Sequence, residues 1–209
     1  MPLTLYGAPL SPYVVAARWA LAEKDVDYEF APIGPADLRA PDYGLRHPFR
    51  KLPSLDVDGM TLFETSAIMR YIDEAFDGPA LQPNDPWARA QGEQWMSAAN
   101  SYLYPVVFTG LVFQRAVAPQ FELPVNEELV ADSVSTTRGY LDIVSKALES
   151  GTLGAQAFVT LGDLFVAAIL APLNEIDEGR QLLSSAPRVA NWLTKLSARP
   201  SFAAAGGNA

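Results

Sequence analysis

Leu3-Thr4-Leu5-Tyr6-Gly7-Ala8-Pro9-Leu10-Ser11-Pro12-Tyr13-Val14-Val15 decides how the chain begins. Leu3 to Tyr6 form a short, apolar-leaning strand that stops at Gly7. Ala8 to Pro12 read as a loop running into a helix. Pro12 suits the first helical position, where its missing N–H would have had no partner anyway, and Ser11 suits the N-cap before it. Val14, Val15, Arg18, Trp19, Leu21 and Ala22 then follow helical spacing to about Lys24. Next, Val26, Tyr28 and Phe30 alternate with Asp27 and Glu29, so residues 26–31 read as a second strand. A β-α-β opening with short connections favours a parallel pair.

Further on, residues 32–53 carry prolines at 32, 35, 41, 48 and 53 and read as irregular, with a short helix around 36–45. Ser54–Val57 and Thr61–Phe63 are strands separated by Asp58-Gly59, a strong hairpin signal. A helix from Thr65 lines Ile68, Met69, Tyr71, Ile72, Ala75 and Phe76 on one face and stops at Asp77-Gly78-Pro79. Residues 1–77 thus form a compact α/β unit, and residues 78–86 read as a linker. Residues 87–209 show no well-punctuated strand. Helical patterns cover 87–117, 125–149, 160–172 and 187–197. Thr160-Leu161-Gly162-Asp163 fits a capping box in its Asp variant. The helix behind it is apolar nearly all round, so it should form the buried centre of a bundle. Residues 203–209 read as a frayed tail.

Composition narrows the chemistry. Among 209 residues there is no cysteine and one histidine, His47. Disulfides, thiolate metal sites, cysteine nucleophiles and multi-histidine metal centres are therefore excluded. A net charge of −9 argues against non-specific binding to nucleic acid or anionic membranes. No apolar run approaches the roughly 18–20 residues of a membrane span. The first residues show no basic segment and no cleavage site, so a cytoplasmic location is the expectation.

Three local features could carry function. Ser11 lies at a helix N-terminus, which stabilises anions; a hydroxyl there could donate to a thiolate, or it could simply cap its own helix. Arg39, Arg46, Arg50 and Lys51 cluster with only Asp42 opposing. This basic loop could receive a carboxylate or be a solvated surface loop. At Phe63-Glu64-Thr65-Ser66-Ala67 a strand gives way to a helix, and Glu64 or Thr65 could either cap it or hold a ligand. Together the three would suit a small zwitterion with two anionic ends.

These segments also carry a resemblance. Leu5-Tyr6-Gly7 with Ser11-Pro12-Tyr13, then His47-Pro48-Phe49-Arg50-Lys51-Leu52-Pro53, then Leu62-Phe63-Glu64-Thr65-Ser66-Ala67-Ile68, resemble the N-terminal domain of cytosolic glutathione S-transferases. The pattern is most similar to the serine-type phi and theta classes and their bacterial relatives. The helical half, with its capping box, resembles the family's C-terminal domain. The resemblance implies a thioredoxin-like α/β N-terminal domain, an all-α C-terminal helical bundle domain and a homodimer. It implies glutathione as co-substrate, with no metal, and conjugation of its thiolate to a small apolar electrophile. A glutathione-dependent isomerase or dehalogenase, or a non-catalytic glutathione-binding regulatory protein, would use the same fold.

By the resemblance, Ser11 holds the thiolate, Arg39 and Lys51 take the glycyl carboxylate, and Leu52 pairs its backbone with the cysteinyl backbone. Pro53 is the family's cis-proline, and Glu64 and Thr65 hold the γ-glutamyl end. Tyr6 lies near where tyrosine-type classes keep their catalytic hydroxyl and is the alternative activator. His47 stands where asparagine is frequent, and a structural role is expected of it. The electrophile pocket is expected between the domains, over Ser11. Its candidate linings are Pro9, Leu10, Tyr104 and Phe108, with Tyr102 and Phe113 nearby in sequence; core packing is the alternative for each aromatic. Ser11-Pro12-Tyr13-Val14 resembles a glutaredoxin motif without its sulfurs, so disulfide reduction is not expected.

Overall fold

The protein is described from a computed structural model over residues 2–207. It divides into two compact units, one running to Leu81 and taking in Pro200–Gly207, the other spanning Gln82–Arg199.

The first unit is built on a four-stranded sheet in the order β2-β1-β3-β4. β1 (Leu3–Gly7) runs parallel to β2 (Glu29–Pro32) and antiparallel to β3 (Ser54–Val57), which pairs antiparallel with β4 (Met60–Phe63). Leu3 and Leu5 are buried while Thr4 and Tyr6 are partly exposed, the alternation of a strand. Gly7 lies where α1 (Pro12–Glu23) crosses, and a Cβ there would meet Val14 Cγ2 at 2.5 Å. Asp58 and Gly59 both adopt positive φ, 48° and 82°, as a tight hairpin turn of the primed kind requires. α3 (Thr65–Ala75) buries Thr65, Ile68, Met69 and Ile72, leaves Tyr71 half-buried and exposes Ala75.

Two elements depart from the sequence expectation. The second strand begins at Glu29, three residues after the expected Val26. Asp25 turns the chain with φ 53°, and the Val26 N–H still donates to Leu21 O at 3.0 Å, so residue 26 belongs to the end of α1. The helix expected around 36–45 is broken. Ala40 precedes Pro41 and is held extended at ψ 140°, as the proline ring demands of its predecessor. The result is a 3₁₀ turn at Asp37–Arg39 followed by α2 (Pro41–Arg46).

In the second unit, α4 (Pro86–Ala98) is capped by Asp85, which accepts from Ala88 N at 2.8 Å. The chain continues in wider π-type winding over Ala99–Val117, with Pro105 inside, and closes in a 3₁₀ turn at Ala118–Phe121. α5 (Glu127–Ser150) starts at its Asn126 cap and ends at Gly151 in the left-handed conformation. All ten residues of α6 (Leu161–Leu170) are buried, and the Thr160–Asp163 capping box is formed in both directions. The Asp163 carboxylate also accepts from Gly154 N at 2.8 Å. Burial nonetheless lifts its pKa above the usual carboxylate value. α7 (Asp177–Ser184) was not anticipated; it is short and polar and buries only Gly179, Leu182 and Leu183. Arg115 ties it down, donating to Glu178 Oε1 at 2.7 Å and in bidentate fashion to Glu127 at 2.8 Å. α8 (Pro187–Ser197) packs against α5, α6 and α7. No helix among the described residues is long and apolar enough to cross a membrane.

The expected frayed tail is a correction. Residues 208–209 lie outside the described residues, but α9 (Pro200–Ala204) packs against α1. Phe202 is 2% exposed, with its ring 4.7 Å from Trp19. Trp19 Nε1 donates to Ser201 Oγ at 3.0 Å, and that hydroxyl donates on to the buried Glu23 carboxylate. Arg18 donates to Ala204 O at 3.2 Å. A short terminal segment of small residues looks like a tail, yet one phenylalanine over one buried tryptophan fixes it.

Candidate functional site

The sheet register gathers the candidate residues. Tyr6 pairs with Ser54, and Ser54 pairs with Phe63. The end of β1, the start of β3 and the end of β4 therefore share one end of the sheet. Three segments leave from that end: the loop to Ser11, the approach Lys51-Leu52-Pro53, and the junction Glu64-Thr65. The β2 end joins them, since Gly7 pairs with Pro32 and Ile33 N donates to Gly7 O at 2.9 Å. The stretch leading to Arg39 starts there.

α1 and α3 both present their positive ends to this region. Ser11 occupies the N-cap of α1, with backbone φ −75° and ψ 122°, yet its side chain makes no capping hydrogen bond. The capping alternative open for Ser11 in the sequence is not the one the structure adopts. Glu64 occupies the N-cap of α3 and likewise makes no side-chain cap. It is exposed and held at φ 72°, a costly conformation for a residue with a Cβ. Thr65 follows at the first helical position, buried. The Leu52–Pro53 peptide bond is cis.

The basic loop separates into two kinds of residue. Arg46 pairs with Asp56, which also accepts from Thr61 Oγ1 at 2.6 Å. Arg50 donates to Leu38 O at 3.0 Å and Ala40 O at 2.7 Å and braces the loop. Arg39 and Lys51 are exposed, and their side chains form no ion pair among the described residues. Tyr43 Oη donates to Lys51 O at 2.8 Å and so fixes the backbone that carries the Lys51 side chain. Two cations and the positive ends of two helices, beside one free carboxylate, suit a ligand with two anionic groups and an ammonium.

Residues 1–74 match the family description "Glutathione S-transferase, N-terminal domain". Glutathione S-transferase F10 of Arabidopsis thaliana is 32% identical over 97% of this chain and 95% of its own length. The chain belongs to the glutathione S-transferase family. In structure, glutathione transferase F7 from Populus trichocarpa superposes with a TM-score of 0.87 at 28% identity, covering 99% of this chain and 100% of the other. The theta class glutathione S-transferase of Xanthomonas axonopodis pv. citri, solved with glutathione bound, superposes with a TM-score of 0.86 at 25% identity over 100% and 99% of the two chains. The two-part family fold, thioredoxin-like α/β followed by all-helical, is thus present.

Within that family frame the remaining candidates take their places. Tyr6 alternates with Leu5 and Gly7 along β1, so its side chain projects from the sheet face opposite α1. Its ring lies under the Arg46 guanidinium, 4.0 Å from centroid to Cζ. The structure thus engages Tyr6 with the Arg46–Asp56 pair. Pro9 and Leu10 are exposed in the loop before α1, Leu10 at 51%. In the helical unit, Tyr104 and Phe108 stack with ring centroids 5.3 Å apart. Phe108 is buried, and burial raises the Tyr104 hydroxyl pKa above 10.0.

His47 lies buried beside this end of the sheet. It is 2% exposed, wedged against Phe63 at 5.0 Å and Phe49 at 6.4 Å between ring centroids. Burial pushes its pKa below 6.5, the nearby Glu64 carboxylate pulls it up, and Lys51 pushes it down further. A lowered value means the unfolded chain takes up a proton that the folded chain refuses. Stability from this group therefore falls as pH drops through 6.5 toward the folded value. Isolation in sequence hid this, because nothing local shows that Phe49 and Phe63 close over one ring.

Proposed function

We propose that this chain is a serine-type glutathione transferase, similar to the phi and theta classes, and that Ser11 is its thiol activator. The observation that carries the reading is the Ser11 hydroxyl, set at the N-terminus of α1 and not used as a cap. A donor there stabilises a thiolate beside the positive helix end, and stabilising the thiolate lowers the thiol pKa. Tyr6, under the Arg46 guanidinium, is the weaker candidate. Arg39 and Lys51 receive the glycyl carboxylate, and the Leu52 backbone, set by cis-Pro53, pairs with the cysteinyl residue. Glu64 takes the γ-glutamyl ammonium, and Thr65 with the α3 N-terminus takes its carboxylate.

The thiolate sulfur then attacks the electrophilic carbon of a small apolar co-substrate. A carbon–sulfur bond forms, the leaving group departs with the electron pair of its own bond, and the thiol proton goes to solvent. Positioning and electrostatic stabilisation supply the rate enhancement. Pro9, Leu10, Tyr104 and Phe108 are assigned to the apolar co-substrate. The relatives named glutathione S-transferases support the transferase reading. A homodimer in the cytoplasm is proposed on the same grounds. Light scattering at micromolar concentration should then give twice 22.6 kDa, and a mass near 22.6 kDa contradicts the dimer.

The function is tested by retention on immobilised glutathione, followed by conjugation of a chlorodinitrobenzene with release of chloride. Glutathione at a hundredfold excess over its Kd should add about 2.7 kcal/mol to stability. A thermal midpoint that millimolar glutathione leaves unmoved would overturn the site assignment.

A further inference from the structure

We propose that His47 is a positioning residue that holds Lys51 and Glu64, the two arms of the glutathione site, in binding geometry only while its imidazole is neutral. The inference rests on the glutathione reading above and extends it to how the site responds to pH.

His47 is joined to both arms. Its backbone N–H donates to Tyr43 O at 3.0 Å, and Tyr43 Oη in turn donates to Lys51 O at 2.8 Å. Its carbonyl accepts from Arg50 N at 2.8 Å, closing the turn immediately before Lys51. On its other side the ring lies against Phe63, the last residue of β4, next to Glu64 in its φ 72° conformation. Phe49 completes the slot. Within it, Nδ1 is buried and has no hydrogen-bond partner among the described residues.

A neutral imidazole tolerates one unpartnered acceptor. An imidazolium in the same slot would carry two donors and a full charge between aromatic rings, at a far larger desolvation cost. The charged groups acting on it are Glu64, which favours protonation, and Lys51, which opposes it; Tyr43 and Arg46 share its helix, and Arg50 is committed to the Leu38 and Ala40 carbonyls. Protonation would therefore open the slot toward water. Because the ring spans the Lys51 turn and the Phe63-Glu64 junction, opening displaces both arms. Glutathione, which needs both at once, selects the closed, neutral state.

The experiment uses the histidine itself, the only one in the chain, so its ring protons give one assigned NMR titration. The probe is S-methylglutathione, whose thioether has no thiol to ionise. Across pH 5–8 the His47 pKa should lie below 6.5 in the free protein and fall further in the saturated complex, as reciprocity of coupling requires. By calorimetry, affinity for S-methylglutathione should drop about tenfold per pH unit once the pH is below the His47 pKa. His47→Asn, whose side chain cannot titrate, should lose the acid-side drop in affinity, whatever its affinity at pH 7.5. Equal His47 pKa values in free and bound protein, or the same pH profile in wild type and His47→Asn, would overturn the proposal. The wild-type titration decides this even where the variant fails to fold. Wild type that does not bind S-methylglutathione at pH 7.5 would instead overturn the glutathione reading itself, and this inference with it.

Discussion

In Ser11→Ala the thiol of bound glutathione titrates about one to two pH units higher than in the wild type. One lost hydrogen bond to a charged group amounts to roughly 1.5–3 kcal/mol, and each pKa unit corresponds to about 1.4 kcal/mol. Near neutral pH the thiolate fraction, and conjugation with it, then falls about ten- to a hundredfold. Binding of glutathione should change less, because the proposed site assigns its charged ends to Arg39, Lys51, Glu64 and Thr65. The structure separates this outcome from a simple cap loss. A Ser11 that capped α1 would cost about 1 kcal/mol of stability on truncation. The Ser11 side chain makes no such bond, so stability should move by no more than about 0.5 kcal/mol. Tyr6→Phe is the control. Its ring remains under Arg46 without the hydroxyl, and the thiol pKa should stay where it is. Ultraviolet titration of the thiolate in wild type and both variants reads the result. A large shift in Tyr6→Phe with none in Ser11→Ala would move the catalytic role to Tyr6.

Lys24→Ala is expected to be the more damaging change to the fold. The Lys24 and Asp73 side chains are 3% and 7% exposed, and Lys24 Nζ donates to Asp73 O at 3.1 Å and to its carboxylate at 3.3 Å. The same carboxylate accepts from Leu81 N at 2.8 Å, so one pair joins the end of α1, α3 and the last residue of the first unit. Removing the ammonium leaves a buried carboxylate without that counter-charge, at a cost of about 3–5 kcal/mol. For a chain of this size that lowers the thermal midpoint by roughly 10 °C. Adding Asp73→Asn to Lys24→Ala should recover more than half of the loss, since the amide oxygen can still accept from Leu81 N while the buried charge is gone. Calorimetric melting of the two variants checks both numbers. A loss under about 1 kcal/mol in Lys24→Ala would mean the pair behaves like a solvent-exposed one.

Much of this fold is legible in local sequence. Gly7, Pro12, the Asp58-Gly59 turn and the Thr160–Asp163 box are local devices: each acts over a few residues, so the residues themselves announce the strand end, the helix start, the hairpin and the buried helix. The motif segments around Ser11, Lys51 and Glu64 were legible for the same reason. Contacts between residues far apart in the chain were not. Nothing near Arg46 predicts that Asp56 and the Tyr6 ring will absorb its charge, nor near Arg50 that two carbonyls will claim it, so of four equivalent cations in sequence two are engaged by the fold and two, Arg39 and Lys51, form no ion pair among the described residues. The docking of α9 on Trp19 and the closure of Phe49 and Phe63 over His47 belong to the same class. Short-range backbone preference is written residue by residue, whereas burial, and with it the lowered pKa of His47, exists only once distant segments have packed together.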